Sequence, residues 1–406
     1  MRTLYTLLIL LITANGLFAQ DSMNVSLLFH WDDNTIPAEP VYNLNYNEIW
    51  GVAIDNREYA IIGSSLGTHI FDVTDPVNSS EVAFIQGAAT GVIHRDYKDF
   101  DGYLYAVADE GPSSLQIIDL HSLPNSAPVV YDSDTLIQRA HNIFIDTENG
   151  LLYDTNGKVF SLANPENPQE VVSLNLGGMM DHGHDLFVRD DTVYWHGGPT
   201  GMHVYDYSVT PNNPTLLGEL SLGEYNHSGW LSEDGNTYVF AEEDFGRDLQ
   251  ICDVSDLSNI NIVSYVNSGF GSASIPHNLI IKDDLLYVSY YHDGMYIFDI
   301  SDPANPWLRG YYDTEPGPAQ PYQWFGAWGV YPLLPSGIVL VSDTRHGLFV
   351  FDASQATNST PELILQQPKE LVKTVDLTGR EVKDHSNAVL INVYSDGSTE
   401  KVIRVE

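Results

Sequence analysis

Cysteine is nearly absent: Cys252 is the only one in 406 residues, so no disulfide framework forms within the chain. It replaces an aliphatic residue in Leu249-Gln250-Ile251-Cys252-Asp253, which marks it as a buried packing residue. Basic residues are also scarce, 17 against 55 acidic ones, for a formal charge of −38. A surface of that sign repels phosphate backbones and anionic lipid, which excludes nucleic-acid binding. It suits solubility, and it attracts cations, calcium included. Past residue 20, no apolar run approaches the roughly 18 residues that a membrane span needs. No Gly-rich phosphate loop and no serine nucleophile elbow occur, because the glycines stand singly or in pairs at turns.

The first 20 residues differ from the rest. Arg2 precedes an apolar run that ends in Phe18-Ala19-Gln20, the pattern of a secretory signal. Residues 1–19 are therefore expected to be a signal peptide, and the mature chain to be secreted or held at the outer surface of a bacterial cell. Export without disulfides suits a bacterial envelope better than a small secreted scaffold.

Most of the remaining chain is a repeat. Met295–Pro306 reads as an alternating strand that stops on an aspartate and enters a Pro- and Asn-rich turn. Asp72, Asp119, Asp206, Asp253, Asp299 and Asp352 end equivalent strands, with Ser161 in the remaining copy, at steps of 42 to 53 residues. Each repeat reads as four short strands, for example Ile49–Ile54, Glu58–Gly63, Thr68–Val73 and Glu81–Gln86 in the first. Seven such units predict an all-β fold, a seven-bladed β-propeller spanning residues 20–353. Residues 24–31 have strand character but no repeat of their own. They are expected to close the ring as the outer strand of the blade that ends near Asp352. The strand-end aspartates read as turn builders that bond their own corner N–H groups. Residues 354–361 have linker composition, and residues 362–406 read as a small C-terminal β appendage with an Asp396-Gly397 turn. A monomer is expected.

Aligned on the first strand, the repeats carry Trp50, His94, His141, His184, His227, His277 and Trp328 at one position. First strands line a propeller's channel, so these residues are expected to ring one mouth of it. The loops between second and third strands fall on the same face. They hold Glu110, His196, Glu242-Glu243-Asp244, His292-Asp293 and Asp343 through His346. His94, His141, His184, His227 and His277 could together hold a divalent transition metal, zinc or similar, since neutral imidazole is the commonest ligand for such ions. Asp96 and Asp185 lie close enough in sequence to act as partners of ring histidines, and His182 shares a strand face with His184. Trp50, Asp96, Glu110, Glu243 and Trp328 are candidate ligand contacts at the same mouth. Two other readings stay open: histidines repeated because the blade is, bonding across it, and polar contacts to a ligand without metal.

The strand phrase resembles the LVIVD-type propeller repeat, and residues 22–352 as a whole resemble the choice-of-anchor B family of exported bacterial proteins. The residues that carry this include Tyr46-Asn47-Glu48-Ile49-Trp50-Gly51, Val107-Ala108-Asp109-Glu110, Ala140-His141-Asn142-Ile143, His227-Ser228-Gly229-Trp230 and His277-Asn278-Leu279. Residues 369–406 are similar to the C-terminal sorting domain of type IX secretion substrates in Bacteroidetes, through Val375-Asp376-Leu377-Thr378-Gly379-Arg380 and Tyr394-Ser395-Asp396-Gly397. That resemblance implies a partner in the type IX secretion machinery. The expected function is a binding module for a small molecule, glycan or protein. The competing expectation is a metal-dependent hydrolase that activates a water at the histidine ring. The fold does not choose between an enzyme and a binder.

Overall fold

Alternating apolar strands bounded by Asn, Asp and Gly turns can bury only one or both sheet faces against a neighbour, and here the neighbours are other copies of the same sheet. The computed structural model describes residues 21–404 except 174–182, 209–212, 270–274, 318–322, 359–370, 377–379, 381, 383–387 and 395–398. The expected signal peptide, His182 and the Asp396-Gly397 turn lie outside the described residues. Seven antiparallel sheets form a β-propeller. Their inner strands are Tyr46–Ile54, Arg95–Phe100, Ile143–Asp146, Asp185–Arg189, Asn226–Leu231, Leu279–Lys282 and Ala327–Tyr331. Each inner strand touches the next, and that of blade seven touches that of blade one, so the ring is closed.

The core is distributed accordingly. Seven apolar clusters occupy the seven interfaces between consecutive blades, such as Ile62 and Phe71 against Leu340 and Val350 between blades one and seven. Cys252 is fully buried in the layer between blades four and five. Burying one such side chain contributes roughly 1.5–3 kcal/mol, so each interface outweighs any single turn. No blade owns its core.

The strand-end aspartates act as turn builders. Asp72, Asp119, Asp206, Asp253, Asp299 and Asp352 each accept through Oδ1 the N–H two residues on, at 2.8–3.0 Å, and Ser161 Oγ accepts that of Ala163 at 3.3 Å. These bonds stop the third strand and set the corner to the fourth.

Closure uses both ends of the propeller segment. Ser26–Trp31 pairs antiparallel with Gly347–Asp352 as the outer strand of blade seven. Ser22–Met23 adds a fifth strand to blade six, with Ser22 opposite Tyr312. Residues expected to begin a linker instead form a short helix, Ser354–Asn358, whose Ala356 is fully buried. Arg309 explains this. Its guanidinium donates to Asp299 Oδ2 at 2.8 Å, to the Ala356 carbonyl at 2.6 Å and to the Thr357 carbonyl at 2.7 Å. Its own carbonyl accepts from Asn24 Nδ2 at 2.8 Å. One buried cation therefore ties a blade-six corner, the segment after blade seven and the N-terminal strands.

Residues 358–406 form a separate unit. Its described part is a three-stranded antiparallel sheet of Leu371–Asp376, Ala388–Tyr394 and Thr399–Arg404.

Asp299 and Asp253 make the same turn, but only Asp299 also pairs with a buried arginine. Replacing Asp299 with Ala strands that charge and is expected to cost about 3 kcal/mol, whereas Asp253→Ala should cost clearly less. Urea unfolding of the two variants measures the difference, and equal losses would refute the role given to Arg309.

Candidate functional site

The inner strands present side chains to the channel at three heights. In blades one, five and seven the cross-strand register shifts between Tyr46 and Ile49, Asn226 and Ser228, and Ala327 and Gly329. A bulge of this kind places two consecutive residues on one face. The upper rung, at the mouth, is His94, His141, His184, His227, His277 and Trp328; Asn47 holds the equivalent register position in blade one, but its side chain is turned towards Gly63 and Tyr97. The middle rung is Glu48, Asp96, Asn142, Asp185, Ser228 and Asn278, with Gly329 from blade seven. The lower rung holds Trp50, Lys98, Phe144, Phe187, Trp230, Ile280 and Tyr331. Four successive cavities along the axis are lined by these rungs in this order.

The five histidines and Trp328 form a closed ring. Neighbouring centroids from His94 through His277 stand 4.1–4.5 Å apart, Trp328 follows His277 at 4.4 Å, and Trp328 reaches back to His94 at 5.5 Å. Each ring tilts about 50° to the next, which packs six planar groups edge to face around an axis.

Trp50 is not in it. It pairs with Ile61 as Tyr331 pairs with Leu340, and those residues oppose the third residue after Gly67 and Gly347 respectively. Trp50 is thus equivalent to Tyr331, against which it packs at 4.8 Å, and its indole donates to Asp99 at 2.7 Å near the opposite mouth. The shared Trp-Gly pair of Trp50-Gly51 and Trp328-Gly329 misaligns the two blades; counting back from the strand-opening glycine aligns them. Asp96 is also displaced from the mouth. It sits one rung down, 2% exposed, bonded to Lys98 Nζ at 2.8 Å and to the Ile143 N–H at 2.7 Å. Asp185 is beside it in the same rung, bonded to the Leu186 N–H at 2.7 Å, and neither aspartate's hydrogen bonds named here reach a ring histidine.

Above the ring opens a cup of about 540 Å³. His94, His141, His184 and Trp328 contribute to its floor; Tyr42, Tyr225, Tyr291 and Trp324 line its wall with Asp109, Glu243 and Asp244. Glu243 from the blade-five loop reaches over the ring. Its carboxylate lies 3.5 Å from His227 Nε2 and 3.7 Å from His277 Nε2, and accepts the Tyr291 hydroxyl at 2.7 Å. Glu110 holds His94 through Nδ1, and Asp109 accepts from His141 Nδ1 at 2.9 Å. Asp109 adjoins Glu110 in a loop that the sequence places on this face, but no repeat pattern singled out Asp109 or the aromatic wall; their role depends on loops folding inward. His196 is elsewhere, bonding Asn226 and Tyr238 at 2.8 Å in a buried structural network.

The protonation states follow from burial. His277 Nδ1 bonds the Trp328 carbonyl at 2.6 Å, and His184 Nδ1 the His227 carbonyl at 3.3 Å. A carbonyl only accepts, so Nδ1 carries the proton and Nε2 keeps its lone pair. Burial, then the neighbouring histidines, push His184 and His227 well below the ordinary imidazole value; burial pushes His277 down to about 3. Burial pushes the Glu243 carboxyl up to about 7. His94 holds Glu110 below its usual range against an opposing burial effect, and His141 does the same for Asp109. Among the described residues two ligand sets sit at the mouth, His184 with His227 and Glu243, and His94 with Asp109 and His141, each with donor atoms within 4.8 Å of one another. A third set, Glu315, Asp343 and His346, is already paired with Arg345 through Glu315.

The LVIVD repeat model matches residues 237–268 and 275–314, which are three strands of blade five and all of blade six. The chain therefore carries LVIVD repeats, on a seven-bladed propeller. No curated protein matches it. Among solved structures it is similar to the computationally designed Ika8 protein, with 12% identity over 77% of this chain and 98% of that one, at a TM-score of 0.49.

Because His277 resists protonation in the folded ring, the unfolded chain takes up more protons below pH 6.5. Stability is fully present above 6.5 and falls as the pH drops towards 3. In His277→Gln this fall should be shallower by up to one proton, about 1.4 kcal/mol per pH unit. Urea unfolding across that pH range checks it, and unchanged slopes would contradict neutral burial.

Proposed function

We propose that this chain is an exported bacterial-surface binding propeller that takes its ligand in the histidine-floored cup, through a divalent transition metal of the zinc type. The carrying observation is the closed ring of five imidazoles, three of them (His184, His227 and His277) held neutral by burial and two with Nδ1 tied to carbonyls, beneath the Glu243 carboxylate. Bonding across a blade would not require His227 Nε2 and His277 Nε2 to converge on one carboxylate, as they do on Glu243 at 3.5 and 3.7 Å. His184, His227 and Glu243 form the first ligand set, with His277 adjacent; the His94, Asp109 and His141 set lies across the same floor. Such an ion would supply a Lewis acid at the bottom of the cup, and a fourth position left to the ligand is what binding sites of this kind use. Tyr42, Tyr225, Tyr291 and Trp324 offer faces for a small molecule, a glycan or a protein side chain to stack on.

Export rests on the leader-like residues 1–19, on the LVIVD repeats and on the likeness to choice-of-anchor B proteins. Among the described residues no helix is long and apolar enough to cross a membrane. The C-terminal unit is proposed to be read by the type IX secretion machinery. A metal-dependent hydrolase is the second reading, favoured by Asp109 and Asp244 lining the same cup, where either could take a proton from an activated water.

Elemental analysis of protein purified with added zinc is expected to give about one equivalent of transition metal. The double variant His184→Ala, His227→Ala should lose it while keeping its circular dichroism spectrum. Metal-free wild-type protein would end both readings. Ester or peptide hydrolysis that disappears with the metal would select the second.

A further inference from the structure

Below the histidine ring the channel narrows to two enclosed chambers, of about 10 and 50 Å³, which share Glu48, Asn142 and Asn278 in their walls. The upper one has room for a single water or ion. The lower adds Asp96, Lys98, Asp185 and Ser228. Three carboxylates, of buried Glu48 and Asp96 and half-buried Asp185, thus face one ammonium, and Lys98 is already committed to Asp96 at 2.8 Å. Glu48 and Asp185 have no cation of their own. Each accepts hydrogen bonds, Glu48 from the Ile49 N–H at 2.9 Å and from Asn278 Nδ2 at 2.7 Å, Asp185 from the Leu186 N–H at 2.7 Å and from the Asn142 side chain. Hydrogen bonds of that kind do not offset two unpaired charges out of water.

Two polar atoms in these walls also lack partners. Asn278 Oδ1 is buried without a hydrogen bond, and so is Nδ1 of His227, a residue only 2% exposed. Both residues line the upper chamber. Buried polar atoms are nearly always satisfied, so two orphans around one chamber beside excess negative charge mark a missing bound species. Packing points the same way. A Cβ on Gly329 would come within 2.5 Å of Glu48 Oε1, so the missing side chain in blade seven makes room for that carboxylate.

We propose that the middle rung is a second cation site, distinct from the imidazole site above it, which holds a hard divalent ion of the calcium class between Glu48, Asp185 and Asn278 Oδ1. Carboxylate and amide oxygens are the donors such ions prefer, and the double charge matches the two unpaired carboxylates. A water on the upper side of the ion completes the His227 Nδ1 bond. Asn142 and Ser228 stand in the same rung as further oxygen donors. Burial, with the charge of Asp96 adding to it, pushes Glu48 up to about 8, and burial pushes Asp185 up to about 6, as expected of carboxylates deprived of their counter-ion. The competing arrangement is a proton on Glu48 with the Asn278 amide turned over.

Terbium reports directly on this site, because Trp50 and Trp230 line the lower chamber and can sensitise its emission. Full-length protein, stripped of metal and held at 150 mM salt, is titrated with terbium alone under tryptophan excitation. Saturable emission displaced by calcium is expected, with affinity at least tenfold weaker in Glu48→Gln and in Asp185→Asn. Trp50→Phe should dim the signal at unchanged affinity. The His184→Ala, Glu243→Gln variant, which changes two ligands of the imidazole site and no residue of either chamber, should still bind terbium, which separates failure here from failure of the imidazole site. Absent saturable emission, or emission indifferent to both carboxamide variants, overturns the proposal in favour of a protonated rung or of surface carboxylates. Glu48→Gln keeps the size of the side chain, and its thermal unfolding shows whether the fold persists.

Discussion

Everything in this molecule depends on closing a ring with an odd strand. Ser26–Trp31 completes blade seven from the far end of the propeller segment, and Arg309 fastens that closure to blade six and to the helix that follows. The apolar layers lie between blades, so an unclosed array would leave one layer facing water and two sheet edges open to other chains. Closure also fixes the channel. Seven inner strands held around one axis turn three residues per blade into three stacked rungs.

The rungs differ in chemistry because each is read at a different depth from solvent. At the mouth, imidazoles contact one another at 4.1–4.5 Å, too close for several to be charged together, and burial keeps His184, His227 and His277 neutral. One rung down, carboxylates outnumber the single ammonium. At the far mouth Trp50, Phe144, Trp230 and Tyr331 line an aromatic cup of about 630 Å³, with Lys98 held 4.5 Å over Trp50. Imidazole nitrogens, then oxygens, then aromatic faces: the order of donors along the axis matches borderline ions above and hard ions below. The strongly acidic surface attracts cations to both mouths.

The fold was legible in unusual detail. Strand-end aspartates such as Asp253 and Asp299 recur in sequence because a turn needs the same local bond in every blade, and a local bond leaves a local signature. The histidine ring was legible for the same reason, since one position per repeat becomes one height on the axis. Trp50 was misplaced because Trp50-Gly51 repeats the composition of Trp328-Gly329, although its cross-strand register makes it the equivalent of Tyr331. Glu243 was expected at this mouth, but its reach over His227 and His277 was not, nor was the bond between Asp109 and His141. Both carboxylates reach the ring from loops whose lengths differ between blades, and no period predicts which loop bends inward.

By itself the sequence determined the seven-fold repeat, the strand-ending turns, the outer strand that closes the ring and the set of histidines near one mouth. These follow from patterns of two residues and of about 45, which need no knowledge of what lies across the channel. Only the tertiary structure decided which side chains share a rung, that Trp50 stands near the far mouth and not level with the histidines, and that Glu48 and Asp185 share a rung whose single ammonium is bonded to Asp96. Those are contacts between residues as far as 230 positions apart, such as Asn278 with Glu48, and they exist only once the ring has closed. The motif that first draws the eye, the strand ending in Asp299, builds the frame. The chemistry is carried by what the frame brings to its axis.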